Sequence, residues 1–182
     1  MELPEQQRDA QLTVKFFRGE IADARGNTID TYQQYADIWL EHDHKYIQLL
    51  FPIDTGTRFN RHAPLANEFT VAAFAADPAL KAGHLKSLDR LLAYYGMRRE
   101  DSQVFAAGEI IPKNCPWLKW HDHNQLRLTR IMRSIWLLTD RALAYAIRDF
   151  ILHHARHYES GEVRAITLSH WANFDQNETM EH

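Results

Sequence analysis

The run His123 to Leu138, HNQLRLTRIMRSIWLL, limits what this chain can fold into more than any other stretch. Its apolar residues recur with the period of a helix. At roughly 100° per residue, His123, Arg127, Arg130 and Ser134 fall on one narrow stripe. Leu128, Ile131, Ile135 and Leu138 border that stripe on one side, and Leu126 and Leu137 on the other. The face expected in solvent is elsewhere, at Gln125, Thr129 and Arg133. A helix patterned this way turns two guanidinium groups and an imidazole toward the protein. A buried guanidinium needs an anionic or carbonyl partner. The stripe therefore points either to internal carboxylates, with Glu20, Asp37, Glu41 and Asp101 as candidates, or to a bound anion.

The rest of the chain also reads as helices. Residues 1–12 are polar and predict a flexible arm, and the aromatic turn Phe16-Phe17-Arg18-Gly19-Glu20 anchors it. Tyr32, Tyr35 and Trp39 recur at helical spacing, so a first helix is expected to run to about Glu41. Asp43 is placed to cap a second helix, His44 to Leu50, which Pro52 closes. Residues 53–65 read as a loop and Asn67 to Ala76 as a third helix. Asp77-Pro78 opens a fourth with Leu85, Leu88, Leu92 and Tyr95 on one face, and Gly96 stops it. Residues 97–116 read as a loop. After the central helix, Thr139-Asp140 break the pattern and cap a helix from Arg141 to about Tyr158, stopped by Ser160-Gly161. That helix buries Leu143, Ile147, Phe150 and Ile151. A last helix spans about Val163 to Phe174, and DQNETMEH is a flexible tail over 175–182. The expectation is an all-α fold, one globular domain over 13–174 with roughly seven helices.

Totals exclude several classes. The net charge is −3, against a general nucleic-acid coat. The balance is uneven, however. Residues 98–164 carry 11 Lys/Arg against 8 Asp/Glu, leaving 10 against 16 elsewhere from totals of 21 and 24. The one cysteine, Cys115, has no internal disulfide partner, which fits a reducing compartment. No apolar run approaches the ~20 residues of a membrane span. The opening MELPEQQRDA lacks the character of a signal peptide, so a cytoplasmic protein is expected.

Candidate chemistry concentrates on two stretches. His123, Asn124, Arg127 and Arg130 combine arginine's planar fork with the free N–H groups of a helix start, which suits a carboxylate or phosphate. His44 and Gln48 lie one helical turn apart and are expected to face the same recess. Eleven histidines raise the question of a metal, and His153 and His157 have the i,i+4 spacing of a zinc pair. His154 stands where the metalloprotease pattern needs Glu, so no general base comes with the motif, and no metal or cofactor is expected. Cys115 has no patterned base and reads as a packing residue. Trp117 and Trp120 with Lys113 and Lys119 have the composition of a base-stacking surface, though core anchors are the plainer reading.

Several of these residues carry a family resemblance. The element His44-Lys45-Tyr46-Ile47-Gln48-Leu49-Leu50-Phe51-Pro52 resembles the HxYIQxLFP element of the opioid growth factor receptor conserved domain. His123-Asn124-Gln125-Leu126-Arg127-Leu128-Thr129-Arg130-Ile131 resembles its HNxLRxTRI element. Tyr95-Gly96-Met97 with Glu100-Asp101, Phe17-Arg18-Gly19 and Trp39 fit the same order and spacing, over about residues 14–174. The resemblance implies an α-helical domain. In animals the family is named for binding an enkephalin-type opioid peptide and is associated with nuclear membranes and growth control. The compact length fits a microbial, single-domain member, and the resemblance brings no catalytic residues with it.

The reading is therefore a binding or regulatory domain, not an enzyme, that holds a small anionic or peptide ligand beside the central helix. Its expected ligand-binding residues are His44, Gln48, His123, Asn124, Arg127 and Arg130. The alternatives are an uncharacterised enzyme using histidine and arginine in that recess, or weak nucleic-acid contact through the basic region. A protein partner is compatible with the first reading.

Overall fold

A computed structural model describes residues 1, 3–56, 63–157 and 162–176, which form nine α-helices, one 3-10 turn and a two-stranded hairpin. The all-α class holds, with the hairpin as an addition. No helix among the described residues is long and apolar enough to cross a membrane. The elements fall into two compact units, Met1–Ser87 with Leu137–Thr139, and Leu88–Trp136 with Asp140–His182.

The first unit begins with α1 (Glu5–Phe17), where the sequence reading has an arm to residue 12. Glu5 in its first turn and Lys15 in its last suit the helix dipole. Ala10, Thr13, Phe16 and Phe17 form its buried stripe. The single helix expected up to Glu41 is two, α2 (Ile29–Gln33) and α3 (Asp37–His42). Thr28 caps α2, and the chain leaves helical geometry at Ala36 (φ −68°, ψ 157°), which caps α3. The aromatic spacing misleads because Tyr32 is buried while Trp39 is 60% exposed. The next helix, α4 (Tyr46–Leu50), starts two residues after His44, and the Lys45 N–H before it is taken by Asp43 Oδ1 at 2.9 Å. Then α5 (Glu68–Ala76) is opened by a capping box: Asn67 Oδ1 accepts from the Phe69 and Thr70 N–H groups, and Thr70 Oγ1 accepts from the Asn67 N–H. The unit's core sets α1 against α5, with the Phe17 ring 5.1 Å from Phe74.

The division between units falls within α6 (Pro78–Tyr94). Pro78 sits at its start as expected, and Gly96, at φ +83°, turns the chain out of it. The predicted loop that follows is in part the hairpin β1 (Met97–Glu100) and β2 (Gln103–Ala106), antiparallel in the register Met97↔Ala106 to Glu100↔Gln103. Four-residue strands are too short for alternation to declare itself. Asp101, at φ 50°, supplies the turn. Trp117 is buried in the 3-10 turn Pro116–Leu118. The central helix, α7 (His123–Leu138), has the bounds expected, and all but its last two residues belong to the second unit. Then α8 (Arg141–His157) is capped by Asp140, whose Oδ1 accepts from the Leu143 N–H at 3.0 Å. Leu143, Ile147 and Ile151 are buried on it, and Phe150 half-buried. Tyr158 and the Ser160-Gly161 stop lie outside the described residues, as does the tail from residue 177. Last comes α9 (Ala165–Ala172), shorter than expected, with Trp171 buried and Ile166 half exposed.

Candidate functional site

The first unit holds a cleft of about 530 Å³. Its apolar wall includes Leu12, Phe16, Ile21, Leu49 and Pro52, and its polar wall includes Asp23, Arg25, His44, Lys45 and Gln48. The polar wall is built from a loop folded on one carboxylate. Asp23 Oδ1 accepts from the Arg25 and Asn27 N–H groups at 3.0 and 2.9 Å, and the Asp23 N–H donates to Asn27 O. The Tyr32 hydroxyl donates to Asp23 Oδ2. Arg25 then reaches across, donating through Nη2 to Tyr32 Oη at 2.8 Å and to Asp43 Oδ2 at 2.9 Å. Tyr35 donates to the same Asp43 oxygen at 3.0 Å.

The charges respond to this wiring. Burial, then the bond to Asp23, pushes the Tyr32 hydroxyl up to about 12, so it stays a donor. Burial favours protonated Asp43, but the Lys45 N–H, the Arg25 guanidinium and the Tyr35 hydroxyl outweigh it and hold the carboxyl below its usual range. Burial works against the Arg25 charge, yet the bonds to Asp43 and Tyr32 raise its pKa on balance. Asp43 is the hinge before α4, so the network fixes the chain from which exposed His44 and Lys45 and half-buried Gln48 meet the cleft.

The other four expected residues lie on α7, in the second unit. Side-chain caps open the helix: Asp122 Oδ1 accepts from the Asn124 N–H at 2.8 Å, and Gln125 Oε1 accepts from the Asp122 N–H at 3.3 Å. His123 is exposed, whereas Asn124 is fully buried and Arg127 and Arg130 are each 6% exposed. Asn124 Oδ1 takes the Tyr95 hydroxyl at 3.1 Å and Arg127 Nη1 at 3.3 Å. Burial pushes the Arg130 guanidinium down to about 9. The inward turn of the two arginines thus matches the sequence reading, and that of His123, in the helix's first turn, does not.

The face assigned to solvent does not. Gln125, Thr129 and Arg133 are all buried, and Leu126 is 43% exposed in their stead. The physical reason is a set of partners that periodicity cannot register. Gln125 Nε2 donates to the carbonyls of Trp117 and Lys119, and its Oε1 accepts from Thr167. Its carbonyl accepts from Trp171 Nε1 and from Thr129 Oγ1. Arg133 lies over the Trp136 ring and donates to the Asp175 carbonyl.

Comparison with known proteins decides the family. The model of the opioid growth factor receptor (OGFr) conserved region matches residues 6–180. The chain belongs to the OGFr conserved-region family. It is 31% identical to human opioid growth factor receptor over 129 residues, which is 67% of this chain and 19% of that protein. It is 31% identical to the mouse and rat opioid growth factor receptors too, over 129 and 130 residues. The chain thus spans about a fifth of the length of the curated relatives it matches. No solved structure matches it.

In this OGFr-type chain the two motifs of the resemblance fall on the two places just described. HKYIQLLFP supplies His44, Lys45 and α4 at the cleft, and HNQLRLTRI the first half of α7. Sequence reasoning missed the Asp23–Arg25–Tyr32–Asp43 network, which joins a loop to two helix ends and has no period. Its one local signal is Asp23 with Gly26 and Asn27, a turn composition. It also missed His84, fully buried among the Phe17, Phe51 and Phe74 rings with Nδ1 2.6 Å from Thr139 Oγ1.

Proposed function

We propose that this chain is a binding domain that takes a short peptide or small ligand with an anionic group into the cleft of the first unit. The observation that carries the reading is the cleft itself. Its lining is mostly apolar, and His44, Lys45, Gln48 and Arg25 line the same cleft. That is the usual composition of a ligand site, an apolar majority with few convergent polar groups. His44 and Gln48 are the ligand contacts, Lys45 supplies positive charge at the rim, and Arg25 holds the polar wall in place. The relatives named opioid growth factor receptor make a peptide the first ligand class to test. On α7, the near-complete burial of Asn124, Arg127 and Arg130 favours a structural role for these residues over direct ligand contact.

The test is calorimetric titration with an enkephalin-type pentapeptide, as the free carboxylate and as its C-terminal amide. The free acid should bind more tightly, and Gln48→Ala and Lys45→Ala should each weaken it at least about tenfold, the loss expected of a charge-assisted contact. Arg127→Met should lower stability and leave the affinity of the folded protein unchanged. Equal binding of acid and amide, or no effect of the cleft variants, defeats the proposal.

A second reading rests on Trp120, which is 63% exposed beside exposed Lys119 and His121. This is the arrangement that stacks unpaired bases. Binding of a short single-stranded oligonucleotide that falls steeply with salt and is lost in Trp120→Ala supports it.

A further inference from the structure

The histidines near the end of α8 have no part in the cleft or in α7. His153 and His157 are one turn apart, both exposed, with ring centroids 4.4 Å apart and planes inclined by 32°. His157 Nδ1 lies 2.7 Å from the His153 carbonyl oxygen. A carbonyl only accepts, so Nδ1 carries the proton and the neutral ring keeps its lone pair on Nε2. A backbone carbonyl on the far nitrogen is the support that orients metal-binding imidazoles. His154 packs against Phe150 with centroids 4.4 Å apart and is half-buried, its ring 5.2 Å from His153 and nearly perpendicular to it. Among the described residues no carboxylate pairs with either exposed ring. Asp149, one turn earlier on the same stripe, is bonded to Arg148 at 3.0 Å.

We propose that His153 and His157 bind one divalent transition-metal ion of the zinc, cobalt, nickel or copper class, with water completing the coordination. Two nitrogens each about 2.0–2.1 Å from one ion stand about 3–3.5 Å apart. Rings already side by side on consecutive turns cover that span by side-chain rotation alone. Imidazole selects this class over calcium and magnesium, which take oxygen ligands. The helix end contributes as well, since the carbonyl terminus of α8 carries partial negative charge. His154 occupies the place of a general base in the metalloprotease pattern, so the site binds without hydrolytic chemistry. Its effect is mechanical: the ion ties the last two turns of α8 together and adds its binding free energy to folding.

The test uses tag-free protein titrated with Zn²⁺, and with Co²⁺ for its visible absorption, alongside thermal melts with and without metal. One equivalent should bind and raise the midpoint of unfolding, and chelation by EDTA should reverse both effects. His153→Gln and His157→Gln should each weaken binding at least about tenfold, while Arg156→Gln leaves it intact. Both histidines are exposed, and circular dichroism of each variant confirms the fold. Absence of binding at millimolar metal overturns the proposal. So does binding that survives both substitutions, or that is lost only on replacing His121.

Discussion

At the scale of single residues, the most consequential side chain outside the cleft is His84. Burial without a compensating charge pushes its imidazole down to about 3, from 6.5 in an unfolded chain. Between those values the unfolded state binds the extra proton and the folded state refuses it. Stability is therefore complete above about pH 6.5 and falls as the pH drops toward 3, by about 1.4 kcal/mol per pH unit within that window. Urea titrations between pH 4 and pH 7 should show this slope, and His84→Phe should flatten it whatever it does to stability at neutral pH. An unchanged slope in the variant refutes the assignment. Nothing in the sequence distinguishes His84 from the other ten histidines. It sits between Gly83 and Leu85 on a helix whose leucines draw the eye, and only the three phenylalanines brought in from residues 17, 51 and 74 make its site dry. Arg127 and Arg130 are the opposite case. Their inward direction was legible, because apolar neighbours three and four residues away settle which side of a helix is buried.

At the scale of elements, ends were legible where a side chain closes them and illegible where long-range contacts do. Asn67 announces α5, and the capping box is there to be measured. Asn67→Ala should cost about 1 kcal/mol in chemical denaturation, and Asn67→Asp, which keeps the accepting oxygen, should lose less. Gly96 likewise announces the end of α6. A Cβ there faces the strain of φ +83° and a contact of 3.1 Å with Cys115 Sγ. Gly96→Ala should therefore cost about 1–2 kcal/mol. Gly108→Ala, at ordinary φ and with nothing within 4 Å, should stay within about 0.5 kcal/mol. If the two alanine variants are equally stable, the backbone argument at Gly96 fails. The outward face of α7 was misread for a different reason. Gln125 is polar by composition, yet five hydrogen bonds to the 3-10 turn, α7 and α9 make it part of the interior. A buried amide satisfied by distant carbonyls leaves no periodic trace. The same limit hid the cleft's polar wall, whose parts come from a loop, two tyrosines and a helix hinge.

At the scale of the whole molecule, acid should act unevenly on the two units. The first contains His84, whose charging costs most. It also contains Asp43 and Asp77, whose carboxyls are held below their usual range: Asp43 by the partners that outweigh its burial, and Asp77 by Arg18 and the Ala79 N–H. These two add a second loss once the pH falls below about 3.8, because stabilised carboxylates must then take up protons. In the second unit the buried cation Arg130 keeps its proton throughout this range, so lowering the pH does not change its charge. His154 is also depressed, by burial and by the charges of His153 and His157. It is half-buried, however, and water offsets much of that cost. Hydrogen exchange followed by mass spectrometry at pH 4.5 and pH 7, corrected for intrinsic rates, separates the possibilities. Protection should fall first in peptides from α1, α5 and the first half of α6, while those from the β1–β2 hairpin, α8 and α9 keep theirs. His84→Phe should bring the two sets closer together. Simultaneous loss in all peptides means the chain opens as one cooperative body, and earlier loss in α8 and α9 means that the titrating group which matters lies in the second unit.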